Sequence, residues 1–189
     1  MILIVLPDIT DDQQLLRQAQ RHQRDALRLI YERYFPPIYQ FIRLRINNRE
    51  QARDIAADVF LDLMMALRGD NPPRSNLRAW LFRVARNKVY DHYGKEKQLP
   101  LTTLEDWIPN QHEESPESRL LDSLRVERIR KILNMLGSEQ QEVIILRFGQ
   151  GLNLKETADI MGRSVSAIKS LQFRAVENLR ELIGAGEME

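Results

Sequence analysis

The sequence predicts an all-α fold: two small helical domains joined by a flexible acidic linker, the second containing a helix-turn-helix. Three observations carry this. Apolar residues recur at three- and four-residue spacing through nearly every segment, the period of a helix that buries one side. Between residues 99 and 118 that period stops, Pro100, Pro109 and Pro116 recur, and Glu105, Asp106, Glu113, Glu114 and Glu117 stand without a single Lys or Arg. From Leu154 to Arg174 a short amphipathic segment ends at Gly162, which turns without a Cβ penalty, and Ser164 offers a hydroxyl to cap the next helix. The expected division is residues 1–98, a linker at 99–118, and residues 119–189.

In the first part, Asp11 to Arg24 is polar and helix-prone, and Leu27, Ile30, Tyr31, Tyr34, Ile38 and Phe41 continue a helical stripe. Pro36 and Pro37 interrupt it, which predicts a kink or a break. Ala52, Ile55, Ala56, Val59, Phe60, Leu63 and Leu67 form the next buried stripe, ended by Gly69. Its other side carries Asp54, Asp58, Leu61, Asp62 and Met65, either a solvated face or a partner-binding surface. After a loop at 68–76, Ser75 or Asn76 caps a helix running to about Tyr93, with Leu77, Trp80, Leu81, Val84 and Ala85 as its expected buried stripe. The wheel then sets Phe82, Arg83, Arg86, Tyr90 and Tyr93 on the opposite face and Asn87 at its edge. Arg interleaved with exposed aromatics suits single-stranded nucleic acid, since guanidinium groups hold phosphates while rings stack on unpaired bases. The same pattern also fits Phe82 and Tyr90 packing under a neighbouring helix.

In the second part a helix runs from Arg119 through Leu124, Ile129, Ile132 and Leu136 and breaks at Gly137. Ser138 with Gln141 reads as a capping box for a helix through Val143, Ile144 and Leu146. In the helix-turn-helix, Ala158 permits close approach of two crossing helices, and Ile160, Ile168 and Leu171 fill the wedge between them. Ser166, Lys169, Ser170 and Phe173 then point outward, with Gln172 and Arg174 on the flanks, as a face for duplex DNA or as the outside of an ordinary helical corner.

Composition narrows the function. The 189 residues carry a net charge of +1, but this divides into +5 over 1–98, −5 over 99–118 and +3 over 119–186. Residues 68–98 hold 8 basic and 3 acidic side chains, the whole surplus of the first part. The chain has no Cys, which removes disulfides and thiolate chemistry and fits a reducing cytoplasm. His22, His92 and His112 share no metal-ligand spacing, and no phosphate-binding Gly loop, nucleophile elbow or paired carboxylates appear, so neither an enzyme, a cofactor nor a metal is expected. No apolar run approaches the ~20 residues of a membrane span, and Ile2 to Leu6 is too short, and lacks the basic flank, for a signal peptide.

Three blocks resemble a known family: Ala-Arg-Asp-Ile-Ala-Ala-Asp-Val-Phe-Leu at 52–61, Leu-Arg-Ala-Trp-Leu-Phe-Arg-Val-Ala-Arg-Asn at 77–87, and the segment from Leu136 to Leu182. In this order they are similar to the sigma factors of bacterial RNA polymerase, in particular the short extracytoplasmic-function group. The resemblance implies a polymerase specificity subunit whose first domain docks on the clamp of the largest subunit and opens the downstream promoter element, and whose second reads the upstream element while resting on the flap of the other large subunit. By position, Asn87 matches the Asn that contacts a flipped non-template base, the loop from Gly69 to Ser75 helps form its pocket, and Lys169, Ser170 and Arg174 match the recognition helix. The chain departs from the pattern at Tyr93 and Gly94, where basic residues are frequent, at Leu171, where Arg is frequent, and in Met1 to Asp8, which has no counterpart. Proteins of this group are commonly held by an anti-sigma protein. A stand-alone helix-turn-helix regulator binding duplex DNA as a dimer is the alternative.

Overall fold

A computed structural model describes residues 9–69, 72–73, 75–94, 101–102 and 116–185, and no strand occurs among them. Helix α1 (Ile9–Gln20) leads into α2 (Arg24–Arg43), α3 (Arg49–Arg68) and α4 (Leu77–Tyr93). Of the stripe that sequence spacing assigned to α2, Ile30, Tyr34, Ile38 and Phe41 are buried, joined by Ile42, and share a core with Ala52, Ala56, Val59 and Leu63 of α3, whereas Leu27 is half-buried and Tyr31 is exposed. The expected break at Pro36 and Pro37 does not occur, and α2 is continuous from Arg24 to Arg43. Prolines inside a helix cost roughly 3 kcal/mol or more, but Pro37 is itself buried between Tyr34, Ile38 and Phe41, so core packing outweighs the lost amides. Local signals hold at the helix starts. Asn48 accepts hydrogen bonds from the amides of Glu50 (2.9 Å) and Gln51 (3.1 Å), and Asn76, at φ 50°, accepts from Ala79 N at 3.0 Å.

The second half comprises α5 (Pro116–Asn134), α6 (Ser138–Ile144) continued by a π-helical turn (Ile145–Gly149), α7 (Leu154–Met161) and α8 (Val165–Ala185). The capping box expected from Ser138 and Gln141 is not formed. Gly137 is the N-cap, and Gln141 instead turns inward, donating to the carbonyl of Leu133 (3.0 Å) and to Asn134 Oδ1 (3.2 Å). The capping box lies one helix later, where Asn153 Oδ1 accepts from Glu156 N and Glu156 Oε2 from Asn153 N. At the corner between α7 and α8, Gly162 adopts φ 65° and closes α7, and Ser164 Oγ accepts from Ala167 N at 3.2 Å. Ala158, Ile160, Ile168 and Leu171 are buried where the two helices cross.

Of the segment expected as a linker, residues 99–100 and 103–115 lie outside the described residues, and 116–118 belong to α5. Leu101 and Thr102 are anchored: Leu101 is buried with its backbone bonded to the side chain of Asn134, and Thr102 N donates to Leu44 O at 2.8 Å. Both halves contribute to one continuous apolar core, because α7 packs directly against α4.

Candidate nucleic-acid interface

Helix α4 is covered from two directions, and this sets what its basic side can do. Leu77, Leu81, Ala85 and Val89 face α2 and α3, and Phe82 joins them, fully buried at 0% exposure with its ring edge-on to Phe41 at 5.5 Å. Phe82 therefore corrects the sequence assignment: it is a core residue and not a stacking surface. Trp80 and Val84, expected inside, are only half-buried. The buried arc is rotated around the helix because aromatic bulk on α2 needs a partner at 82, which the α4 spacing alone does not reveal.

The rest of the face divides. Arg83 and Asn87 are exposed. Arg86 and Tyr90 are half-buried and tied to the second half of the chain: Arg86 Nε and Nη2 donate to the two oxygens of Glu142 at 2.7 and 3.2 Å, and Tyr90 Oη donates to Glu142 at 3.3 Å. The Arg86 guanidinium also lies 4.5 Å from the Tyr90 ring centre. Burial works against the Arg86 charge, yet the hydrogen bonds and negative charge of Glu142 outweigh it and raise the guanidinium above its ordinary value. Burial first, and then the Glu142 charge, raise Tyr90. Tyr93, half-buried, donates its hydroxyl to the carbonyl of Arg45, so it anchors the helix end to the core.

Beside this face, Pro72, Pro73, Ser75, Asn76, Ala79, Trp80 and Arg83 line an open cavity of about 290 Å³. Gln20 of α1 holds the loop by donating to Pro73 O at 2.9 Å. Asp159 of α7 completes the wall. Deeper in the same contact, Arg78 donates to the carbonyl of Gln150 at 2.5 Å and faces Glu156 at 4.0 Å, burial lowering its pKa against the attraction of that carboxylate.

On α8 the outward face is as the sequence reading placed it. Ser166, Lys169, Ser170 and Arg174 are exposed, and Phe173 is 67% exposed. Gln172 is half-buried and accepts from Arg147 at 2.8 Å, while Leu171 is turned into the core, which gives its departure from the family's Arg a packing reason. On α3, Asp54 and Asp58 are exposed, Leu61 and Met65 are 54% and 63% exposed, and the half-buried Asp62 pairs with Lys88 at 2.9 Å. Tyr31, expected in the α2 stripe, is instead exposed, and Met64 adds exposed apolar surface on α3 that the sequence reading did not single out. It also missed Glu142 and Asp159, ordinary acids in their own helices whose placement against α4 depends on a long-range contact.

Among the described residues no group of three or more His, Asp or Glu side chains could hold a metal ion, and no helix is long and apolar enough to cross a membrane. Comparison with known proteins matches residues 30–98 to the family described as Sigma-70 region 2 and residues 127–181 to Sigma-70, region 4. The chain is 35% identical over 171 residues to the ECF RNA polymerase sigma factor BldN of Streptomyces coelicolor, covering 90% of this chain and 65% of that one. It is 30% identical over 182 residues to the ECF RNA polymerase sigma factor SigD of Mycobacterium tuberculosis, covering 92% of this chain and 84% of the relative. Among solved structures, CnrH in complex with the cytosolic domain of CnrY superposes with a TM-score of 0.68 at 26% identity, covering 92% of this chain and 97% of that one. The sigma factor RpoE of Bartonella quintana, solved with the anti-sigma factor NepR, shares the fold with a TM-score of 0.60 at 24% identity, covering 83% and 96%. Both matched regions, in the same order and with these relatives spanning nine-tenths of the chain, place it by descent: it belongs to the extracytoplasmic-function sigma factors of the sigma-70 family.

Proposed function

We propose that this chain binds core RNA polymerase in the cytoplasm and directs it to a set of promoters, with residues 1–98 docking on the enzyme and opening the downstream element and residues 119–189 reading the upstream one. The observation that carries this reading is the α4 surface, where Arg83 lines the cavity together with Trp80, Pro72, Pro73, Ser75 and Asn76, and Arg86, Asn87 and Tyr90 follow along the same helix. Guanidinium groups beside an aromatic ring suit the backbone and bases of an unpaired strand, and the cavity has room for a base turned out of the stack. Ser166, Lys169, Ser170, Phe173 and Arg174 supply the duplex-reading face of α8, and Asp54, Asp58, Leu61, Asp62 and Met65 the contact with the polymerase clamp. CnrH, solved on the cytosolic domain of CnrY, supports an anti-sigma protein as a further partner. The chain itself carries out no chemistry; the polymerase does. Permanganate reactivity of thymines on a promoter duplex tests the strand-opening role. Reactivity is expected only when core polymerase and this chain are both present, and a chain that binds the duplex unaided as a dimer without opening it would contradict the reading.

A further inference from the structure

Pro72 and Pro73 leave the loop that walls the cavity two backbone donors short. Asn76 fixes the loop's exit by capping α4, and the middle is held from outside: Gln20 Nε2, at the last residue of α1, donates to Pro73 O at 2.9 Å across 53 residues of sequence. Pro73 is buried and Gln20 half-buried, so the bond is partly shielded from water. Helix α1 is itself firmly seated. Leu15, Leu16 and Ala19 are buried in the core, and the buried Asp12 accepts from Arg33 at 3.0 Å and from the Tyr34 hydroxyl. The helix closes in a Schellman turn, in which Gln23 N donates to Gln18 O at 3.2 Å and His22 N to Ala19 O at 2.9 Å, with His22 in the left-handed region at φ 59°. A residue with a Cβ takes that conformation at a steric cost and keeps it only where its surroundings over-determine the backbone. Asp12, Gln13 and Leu16 also line a second cavity, of about 260 Å³, that shares Ser75 and Asn76 with the first, so α1 adjoins the loop at its exit as well as at Pro73.

We propose that α1, which precedes the matched residues 30–98, is a brace for base capture and that Gln20 is a positioning residue. Its bond holds the Pro73 carbonyl, and with it the loop, in the shape that accepts an unpaired base. This rests on the reading of the cavity as the seat of that base. A loop ordered beforehand loses less freedom when the base enters, so the bond acts on capture of the base and not on docking to polymerase.

Gln20→Met keeps the length and helix preference of the side chain and removes the donor, and Gln20→Lys puts a donor back. The full chain is assayed with core polymerase on a promoter duplex, intact or with an abasic site at one position of the unpaired strand at a time, and opening is read as permanganate reactivity of thymines. The native chain is expected to lose opening at one abasic position. Gln20→Met should open the intact promoter less by on the order of threefold to tenfold, the worth of one neutral hydrogen bond. Its affinity for core should not change, and it should lose little more at that abasic position, because the base it fails to seat is already missing. Gln20→Lys should recover opening. If Gln20→Met opens the promoter as the native chain does, with the same abasic sensitivity, the brace is overturned while the base pocket stands. A defect that extends to core affinity, adds in full to the abasic loss, or is shared by Gln20→Lys marks a merely structural role and overturns it as well. A native chain indifferent to abasic sites at every position overturns the base pocket itself, and the brace with it.

Discussion

Arg86 sits between two partners, the Tyr90 ring and the Glu142 carboxylate. With Glu142 it is half of a largely buried ion pair, and removing one partner of such a pair costs about 3–5 kcal/mol because the other is left uncompensated. Free of Glu142 it is a cation beside an aromatic ring, the pairing that single strands favour. Stacking contributes ~1–3 kcal/mol per base, so Tyr90→Ala and Asn87→Ala should slow opening of a duplex promoter on the order of tenfold to a hundredfold, and a pre-melted template should partly rescue both; equal defects on both templates would refute strand capture. The neutral Tyr90 phenol also makes stability depend on pH. Its raised pKa means the folded state holds the proton longer than the unfolded one, so the contribution is fully present below pH 10 and is lost as pH rises through the raised value. Tyr34, raised by burial and its bond to Asp12, acts in the same direction. Tyrosinate absorbance followed together with helical circular dichroism should show ionisation delayed beyond pH 10 and accompanied by loosening; phenols that all titrate at the ordinary value without structural change would contradict this.

At the scale of the helix, signals carried by a few neighbouring residues were legible in sequence and those set by distant packing were not. Gly162, Ser164 and Asn76 take the cap positions their residue types suggest, because each cap closes within its own turn. Gln141 does not, since a carbonyl eight residues back at the end of α5 competes for its amide. Phe82 could not be placed from α4 alone, and neither could the continuity of α2 through its prolines. Helix α8 is the local case at its clearest, and the outward residues proposed to read duplex DNA yield a prediction that separates positioning from reading. Arg174, far from the helix start, is expected to touch a phosphate, so Arg174→Ala should weaken binding alike for all sequences and lower the salt slope by about one. Lys169, near the start of α8, is the candidate for base reading, so Lys169→Ala should cost ~1–3 kcal/mol at one position and relax preference there. Binding to upstream-element variants at several salt concentrations distinguishes the two; no effect of either substitution would show that this is not the DNA face. In the cap of α7, Asn153→Ala should lower stability by ~0.5–2 kcal/mol, read from denaturant unfolding, with an unchanged midpoint as the contrary result.

Across the whole molecule, charge explains more than shape. The excess positive charge of the first half is concentrated near α4, and the second half answers it with Glu142, Glu156 and Asp159, while the acids of α3 stay on the surface. That exposed stripe is the part proposed to dock on polymerase. Reversing Asp58 and Asp62 to Lys should weaken core binding, more at low salt where exposed charges are least screened; the Asp62 substitution also removes the pair with Lys88, so Lys88→Ala serves as the control. Unchanged affinity for core would return the stripe to a solvated face. The two matched regions, the helical order and the relatives all make this a sigma factor, and its central activity is a gain of function conferred on another enzyme. Run-off transcription from a linear promoter template with purified core polymerase tests that most directly: a discrete transcript is expected with this chain and none without it, and transcription indifferent to the chain, on promoters it demonstrably binds, would contradict the account.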